Sequence, residues 1–416
     1  MKKKYKMLLG QALACPSDSF THNASMQNTT PFRSLSRSAR FLLGGLAAII
    51  LLASCTPQAA PTPDMNAALT QAFGTALANM QPAATLRPTE TAVPPATAVR
   101  TPPALPSTFV AAELNPVDTP HAYIQDSCQY LHDKWNSSNS APGTVAMVVM
   151  FHGIIKGEVE KDNQISQADF RKVMDDLHEM GFQAINTQQL ADFLYSNAKI
   201  PERSVLLVVD DRHTAQNFND HFRQYWEQWG WPVVNGWISA FGGQDQFLQE
   251  NVDLSKEGWV DYQSHGYVHN INMTDSSTDE FLTQELQGSM ANIQQYFNKT
   301  PIAIIWPGGN FGRRPVEFAR KYGYKLGFTI NPRGPIMYNW VPQADQIDPG
   351  RPAYLAEGPA GDPLMTLPRY WDTDVRAHLD EVRNIGKEAA AYAEQNKATE
   401  LEYYDIMCAP KMGPIP

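Results

Sequence analysis

Two continuous apolar runs of strand length, TVAMVVMF (144–151) and SVLLVV (204–209), constrain the fold more than any other feature of this chain. A strand that is apolar on both faces has to be covered on both, which a parallel sheet flanked by helices achieves. The intervening patterns are helical. Ser166 reads as an N-cap before QADFRKVMDDLHEM, with Phe170, Val173, Met174 and Leu177 at helical spacing and Gly181 as the stop. A short strand, FQAI, follows, and Thr187 reads as the cap of a second helix, QQLADFLYSN. Further on, the spacing predicts a helix over 214–229, strands over 232–238 and 258–263, and a long helix from Asp279 to Phe297. A strand over 302–306, a helix over 314–322 and a strand over 326–330 complete the series. Residues 331–370 are rich in Pro and Gly and read as long loops, and 374–396 reads as helical. Roughly 230 residues of short buried strands alternating with amphipathic helices suit one barrel-like α/β domain.

Composition narrows the class. With 416 residues, 43% of them hydrophobic, there is enough apolar material for a sizeable core. The net charge of -10 argues against a nucleic-acid-binding surface. Four cysteines and no CxxC pair exclude a disulfide scaffold or a zinc ribbon. Cys128 and Cys408 bracket the domain, and sequence leaves open whether they form a disulfide or stay as two thiols.

The N-terminal region reads as an address. FLLGGLAAIILLA (41–53) is too short to span a bilayer comfortably. It follows Arg33, Arg37 and Arg40 and precedes small residues, the layout of an export signal. Leu52-Ala53-Ser54-Cys55 resembles the lipobox of bacterial lipoproteins, in which the cysteine becomes the lipidated first residue of the mature chain. Initiation at Met26 gives a leader of ordinary length. The segment 1–54 carries seven Lys/Arg and one Asp, so the chain that remains is more acidic still. Residues 56–120 hold 12 prolines amid Ala and Thr and read as an extended spacer, in which Asn66 to Met80 has some helical character. The expected organisation is a signal peptide over 1–54, a tether over 55–120, a barrel domain over 121–375, and a C-terminal helix and tail over 376–416.

Three polar clusters stand at the ends of expected strands, where parallel α/β folds concentrate catalytic groups. SVLLVV runs into Asp210-Asp211, a carboxylate pair that needs a cation or another partner beside a buried strand end. WVDYQ runs into Ser264-His265-Gly266-Tyr267-Val268-His269, in which two histidines four apart converge on one ion if the loop is helical. IAIIW runs into Pro307-Gly308-Gly309, a rigid turn whose backbone N–H groups are candidates for oxyanion stabilisation. One Asp and two His make a three-ligand set with a position left open.

Taken in order, VVMFHGI, VLLVVDDRH, SHGYVH and IIWPGG resemble the polysaccharide deacetylases of carbohydrate esterase family 4, the NodB-homology domain, over roughly 144–330. Met150-Phe151-His152-Gly153-Ile154 is similar to the opening of the branch that deacetylates poly-β-1,6-N-acetylglucosamine. The resemblance implies a deformed (β/α) barrel of about seven strands. It implies Asp210 as general base, Asp211, His265 and His269 as metal ligands, and His152 as general acid. It also implies that Pro307, Gly308 and Gly309, with Trp306 and Arg212 beside them, shape the groove. The expected cofactor is one divalent ion, Zn²⁺ first, with Ni²⁺, Co²⁺ or Fe²⁺ as alternatives. The expected activity is hydrolytic removal of N-acetyl groups from an extracellular or cell-wall GlcNAc-type polysaccharide. The implied partners are that polymer and the membrane, through lipid on Cys55, with no nucleic acid. The implied location is the bacterial cell envelope.

Several positions depart from the family pattern. Arg212 replaces the glycine after the Asp pair, with His213 following. Gly266 replaces the Ser/Thr after the first ligand histidine. Ile305 stands where one form of the third motif has Arg, and Trp306 and Gly308 differ from the Tyr-containing form. These changes support an alternative reading, a catalytically diverged, lipid-anchored carbohydrate-binding protein on the same fold. Trp226, Trp229, Trp231 and Trp237 read as core rather than sugar platforms, whereas Trp259, Trp340 and Trp371 lie near loops and are candidates to face the groove. Arg369 loosely resembles a family arginine. Asp372 and Asp374 read as loop solvation, with a second metal site as the alternative. His121, His132, His178 and His221 are expected at the surface.

Overall fold

The computed structural model describes residues 100–240 and 246–416. The leader, Cys55, the Met26 start and the spacer up to residue 99 lie outside the described residues. The strands are β1 (Asp118–His121), β2 (Val145–Phe151), β3 (Gly153–Ile155), β4 (Gln164–Ser166), β5 (Gln183–Ala184) and β6 (Arg203–Val209). They continue with β7 (Val233–Trp237), β8 (Val260–Ser264), β9 (Ala303–Ile305), β10 (Leu326–Phe328), β11 (Val341–Ala344) and β12 (Tyr370–Trp371). One parallel sheet runs in the order β10-β9-β8-β7-β6-β2-β12, seven strands curled into a half-barrel with helices around it. β5 pairs with the start of β6 and β7 with its end, so one edge of β6 serves two neighbours.

The apolar runs work as expected. Along β2, Val145, Met147, Val149 and Phe151 join a core shared with Phe170, Leu177 and Leu379, while Ala146 and Val148 point into the opposite core with Ile305 and Phe328. β6 divides the same way, Val205, Leu207 and Val209 against Leu206 and Val208. This period-two division is what a strand buried on both faces requires.

Helix ends follow local chemistry. The helices are α1 (Ser127–Trp135), α2 (Gln167–Glu179), α3 (Thr187–Ser196), α4 (Ala215–His221), α5 (Arg223–Trp229) and α6 (Gln246–Ser255). After them come α7 (Asp279–Thr283), α8 (Ser289–Phe297), α9 (Arg313–Lys321), α10 (Val375–Met407) and the short α11 (Ala409–Met412). Ser166 caps α2 through a bond from the Asp169 N–H. The cap of α3 is Asn186, not Thr187: Asn186 and Gln189 form a reciprocal capping box, and Thr187 is buried at the first helical position. The expected helix over 214–229 is interrupted at Phe222, whose ring packs edge-on against Phe151 and Phe170. The expected single helix over 279–297 contains a π-helical turn, Gln284–Gly288, between α7 and α8. α10 runs well past residue 396.

Two regions are more ordered than their composition suggests. Residues 100–120, expected as the end of the tether, pack on the body: Ala111 and Leu114 enter the core, β1 pairs antiparallel with β11, and Arg100 bonds Glu402. The Pro/Gly-rich stretch 331–370 is fixed by buried charge. Arg333 bonds both Asp118 and Glu357, and Arg351 bonds Asp118 twice at 2.8 Å. Cys128 and Cys408 form a disulfide that joins α1 to the end of α10 across 280 residues of sequence.

Candidate active site

The C-terminal ends of β2, β6, β8 and β9 converge, and β12 brings a fifth segment beside them. β6 runs directly into Asp210, whose N–H donates to the Phe151 carbonyl of β2. Its buried carboxylate is gripped at both oxygens by Arg369, the residue before β12, at 2.6 and 2.9 Å. Arg369 is itself fully buried and also donates to the Thr329 carbonyl. Burial pushes the Asp210 pKa up, but the Arg369 charge and fork outweigh it, and the group is held well below the usual carboxylate range. Asp210 is therefore an ionised, oriented carboxylate.

His152, immediately after β2, places Nε2 3.5 Å from Asp210 Oδ2. Its ring stacks on Trp371 at 5.6 Å between centroids. Burial holds the imidazole below its ordinary pKa, despite the nearby Asp210 charge.

Asp211, His265 and His269 form the one cluster of potential ligands among the described residues whose donor atoms all lie within 4.8 Å of one another. Asp211 Oδ1 is 3.6 Å from His265 Nε2 and 3.9 Å from His269 Nε2. The histidines converge without a helix. Gly266 (φ 81°) and His269 (φ 62°) turn the loop back sharply, and Asp211 is also left-handed at φ 67°. Side chains rarely occupy this region, and such backbone clusters at functional sites.

The donor set fits a divalent ion. His265 Nδ1–H donates to the Ile305 carbonyl at 2.9 Å, which fixes the tautomer and leaves Nε2 as a lone-pair donor towards Asp211. Burial and the neighbouring His265 push the His269 pKa down to about 4, so that ring is neutral at pH 7, the form that ligates. The neighbouring His265 also lowers the Asp211 pKa, keeping the carboxylate anionic.

The sequence profile of the polysaccharide deacetylase family matches residues 197–327. Residues 197–327 thus carry the signature of a polysaccharide deacetylase domain. The Bacillus subtilis (strain 168) protein named "Putative polysaccharide deacetylase YxkH" is 22% identical over 187 residues, 44% of this chain. The match spans just under two thirds, 64%, of that relative. Similar solved structures include the Streptococcus pyogenes deacetylase PplD in complex with acetate, with 17% identity and a TM-score of 0.45 over 58% of this chain and 99% of that one. IcaB from Ammonifex degensii is another, with 16% identity and a TM-score of 0.42 over 59% and 98%.

The matched segment of the deacetylase domain contains Asp210, Asp211, His265, His269 and the Pro307–Gly309 turn, while His152 and Arg369 lie outside it. Trp306, expected at the groove, is instead core: it is fully buried and donates from its indole to the Met365 carbonyl. The turn after it also differs from the oxyanion expectation. The Gly309 N–H bonds Trp306 and the Asn310 N–H bonds Pro307, so both are spent within the turn, and Gly308 alone of the three motif residues is exposed. Arg212 bends towards the Ala240 carbonyl, 3.2 Å away. Trp231, Trp237, Trp259 and Trp340 are all buried, and Trp371 alone of the loop tryptophans reaches the site. Asp372 is buried, not solvated. His221 is buried as well, and His178 stacks on Trp229.

Sequence reasoning missed Glu285. Its buried carboxylate accepts from the backbone N–H groups of Tyr267, Val268 and His269. A glutamate in a helical pattern carries no mark of this. Arg369 shows only a loose likeness in sequence, because its partner lies 159 positions away.

Proposed function

We propose that the chain is a metal-dependent hydrolase that removes N-acetyl groups from an extracellular or cell-wall polysaccharide of the GlcNAc type, tethered to the envelope by lipid on Cys55. The observation that supports this most is the Asp211–His265–His269 cluster beside an Asp210 held ionised by Arg369. In this reading Asp211, His265 and His269 hold one divalent ion, Zn²⁺ first, which supplies Lewis acidity towards an acyl oxygen and acidifies water. Asp210 has both oxygens set by Arg369 and takes the proton of the attacking water. His152 starts neutral at pH 7, because burial lowers its pKa. It must gain a proton before giving one to the leaving amine, and Asp210 stands 3.5 Å from its Nε2. Water and acetamide thus become acetate and a free amine, and such acid–base assistance contributes roughly 10²–10⁴ in rate. The Cys128–Cys408 disulfide suits an oxidising, extracytoplasmic compartment.

The test measures metal content and acetate release from N-acetylated glucosamine oligomers for the wild type, Asp211→Ala and Asp210→Asn. The expected result is about one divalent ion per chain, lost in Asp211→Ala and retained in Asp210→Asn, with acetate release lost in both. A wild type that takes up no metal on reconstitution sinks the hydrolase. Metal without acetate release on any such oligomer favours the diverged binding protein.

A further inference from the structure

We infer that Glu285 is the positioning residue of this metal centre, and that Gly266 exists to make room for it; the inference rests on reading Asp211, His265 and His269 as ligands. The carboxylate accepts the Tyr267 N–H at 2.8 Å, the Val268 N–H at 3.0 and 3.3 Å, and the His269 N–H at 3.4 Å. Three successive amides converging on one anion form a nest. Here the anion is a buried side chain rather than a ligand, and it holds the loop whose first and last residues are His265 and His269. Without it three amides of a half-buried turn lose their shared acceptor, and the loop loses what sets the angle between the two imidazoles.

Two features show that the contact is built in. Glu285 lies in the π-turn Gln284–Gly288, and such turns re-aim side chains and recur at functional sites. The same segment delivers Ser289, whose hydroxyl bonds those of Ser239 and Ser264 at 2.7 Å, tying the helix to the ends of β7 and β8. At Gly266 a Cβ would stand 2.6 Å from Glu285 Oε2 and 3.0 Å from Pro307 Cγ, on a backbone with φ at 81°. The Ser/Thr of the resembled motif does not fit here. The Gly266 departure is the complement of Glu285, not decay of the site.

The experiment measures Zn²⁺ affinity by competition with a chromophoric chelator in the full chain, for the wild type, Glu285→Gln and Glu285→Asp. Thermal unfolding of the metal-free proteins runs alongside. Groups that orient metal ligands typically change affinity about 10–100-fold. Glu285→Gln is expected to weaken Zn²⁺ by at least about tenfold in the folded protein, with Glu285→Asp recovering part of the loss. A purely structural role would lower the melting temperature and leave the affinity of the folded fraction unchanged, and that result overturns the inference. Hydrogen exchange over 267–269 in the metal-free wild type decides the case where Glu285→Gln does not fold. Slow amides support the inference, and exchange at unprotected rates overturns it. A wild type that binds no Zn²⁺ sinks the metal reading, and the same exchange result then judges Glu285 as the organiser of the loop.

Discussion

The Asp210–Arg369 pair is buried on both sides, so its energetics are asymmetric. Removing Arg369 strands a carboxylate in a desolvated site, which typically costs about 3–5 kcal/mol. Arg369→Ala should therefore lower unfolding stability by that order in urea titrations. It should also lower activity, because Asp210 loses its ionised state and its orientation. Arg369→Lys keeps the charge but not the fork and should fall between the two. Equal stability for wild type and Arg369→Ala would mean that water reaches Asp210. Asp372 behaves in the opposite way. Burial raises its pKa to about 7, and one carboxylate oxygen has no hydrogen-bond partner. The unfolded group ionises near 3.8, so between pH 4 and 7 the folded chain holds a proton that the unfolded chain has released. Its contribution to stability is whole below that window and falls as pH rises, by about 1.4 kcal/mol per unit, levelling above pH 7. Asp372→Asn should flatten the stability profile between pH 4 and 7 by that slope. An unchanged slope would mean that the Asp372 carboxyl titrates normally.

At the level of elements, legibility followed the range of the forces involved. β2, β6 and α2 were readable because their determinants are local: unbroken apolar runs, and Phe170, Val173, Met174 and Leu177 on one face after a Ser166 cap. The three polar clusters at strand ends were readable for the same reason, since each sits immediately after a run that had to be a strand. Features set by distant partners were not. The π-turn that aims Glu285 is registered by contacts with β7, β8 and the histidine loop, and the sequence 279–297 has the periodicity of an ordinary helix. Trp306 looked like a groove residue because it borders a glycine turn. Its indole turns inward because the Met365 carbonyl waits 59 residues on. The stretch 331–370 has loop composition, yet Arg333, Asp118 and Glu357 lock it by buried charge. Composition reports backbone freedom and is blind to such pairing.

Among the described residues, the first and last segments pack against each other. Phe109 packs on Trp340 and Tyr392, so the segment entering from the spacer lies against α10. Glu400 on α10 accepts from Lys134 and from the Trp135 indole of α1, both at the same helix contact that the Cys128–Cys408 disulfide crosses. Two consequences follow from that redundancy. The native contact between α1 and α10 should survive loss of the disulfide, because the bonds to Glu400 and the Leu131–Tyr404 packing also hold it. The disulfide acts instead on the unfolded chain, where it ties together residues 280 apart. In the chain-entropy account a loop of 100 residues gives about 4.7 kcal/mol, and longer loops add little. Cys128→Ser with Cys408→Ser should therefore keep native near-ultraviolet circular dichroism and unchanged Zn²⁺ affinity, since the disulfide cluster shares no residue with the site. Unfolding stability should fall by roughly 3–5 kcal/mol. Loss of native dichroism in the double variant would show that the disulfide holds α10 in place directly. Undiminished stability would show that the reduced unfolded chain is already compact about these two ends.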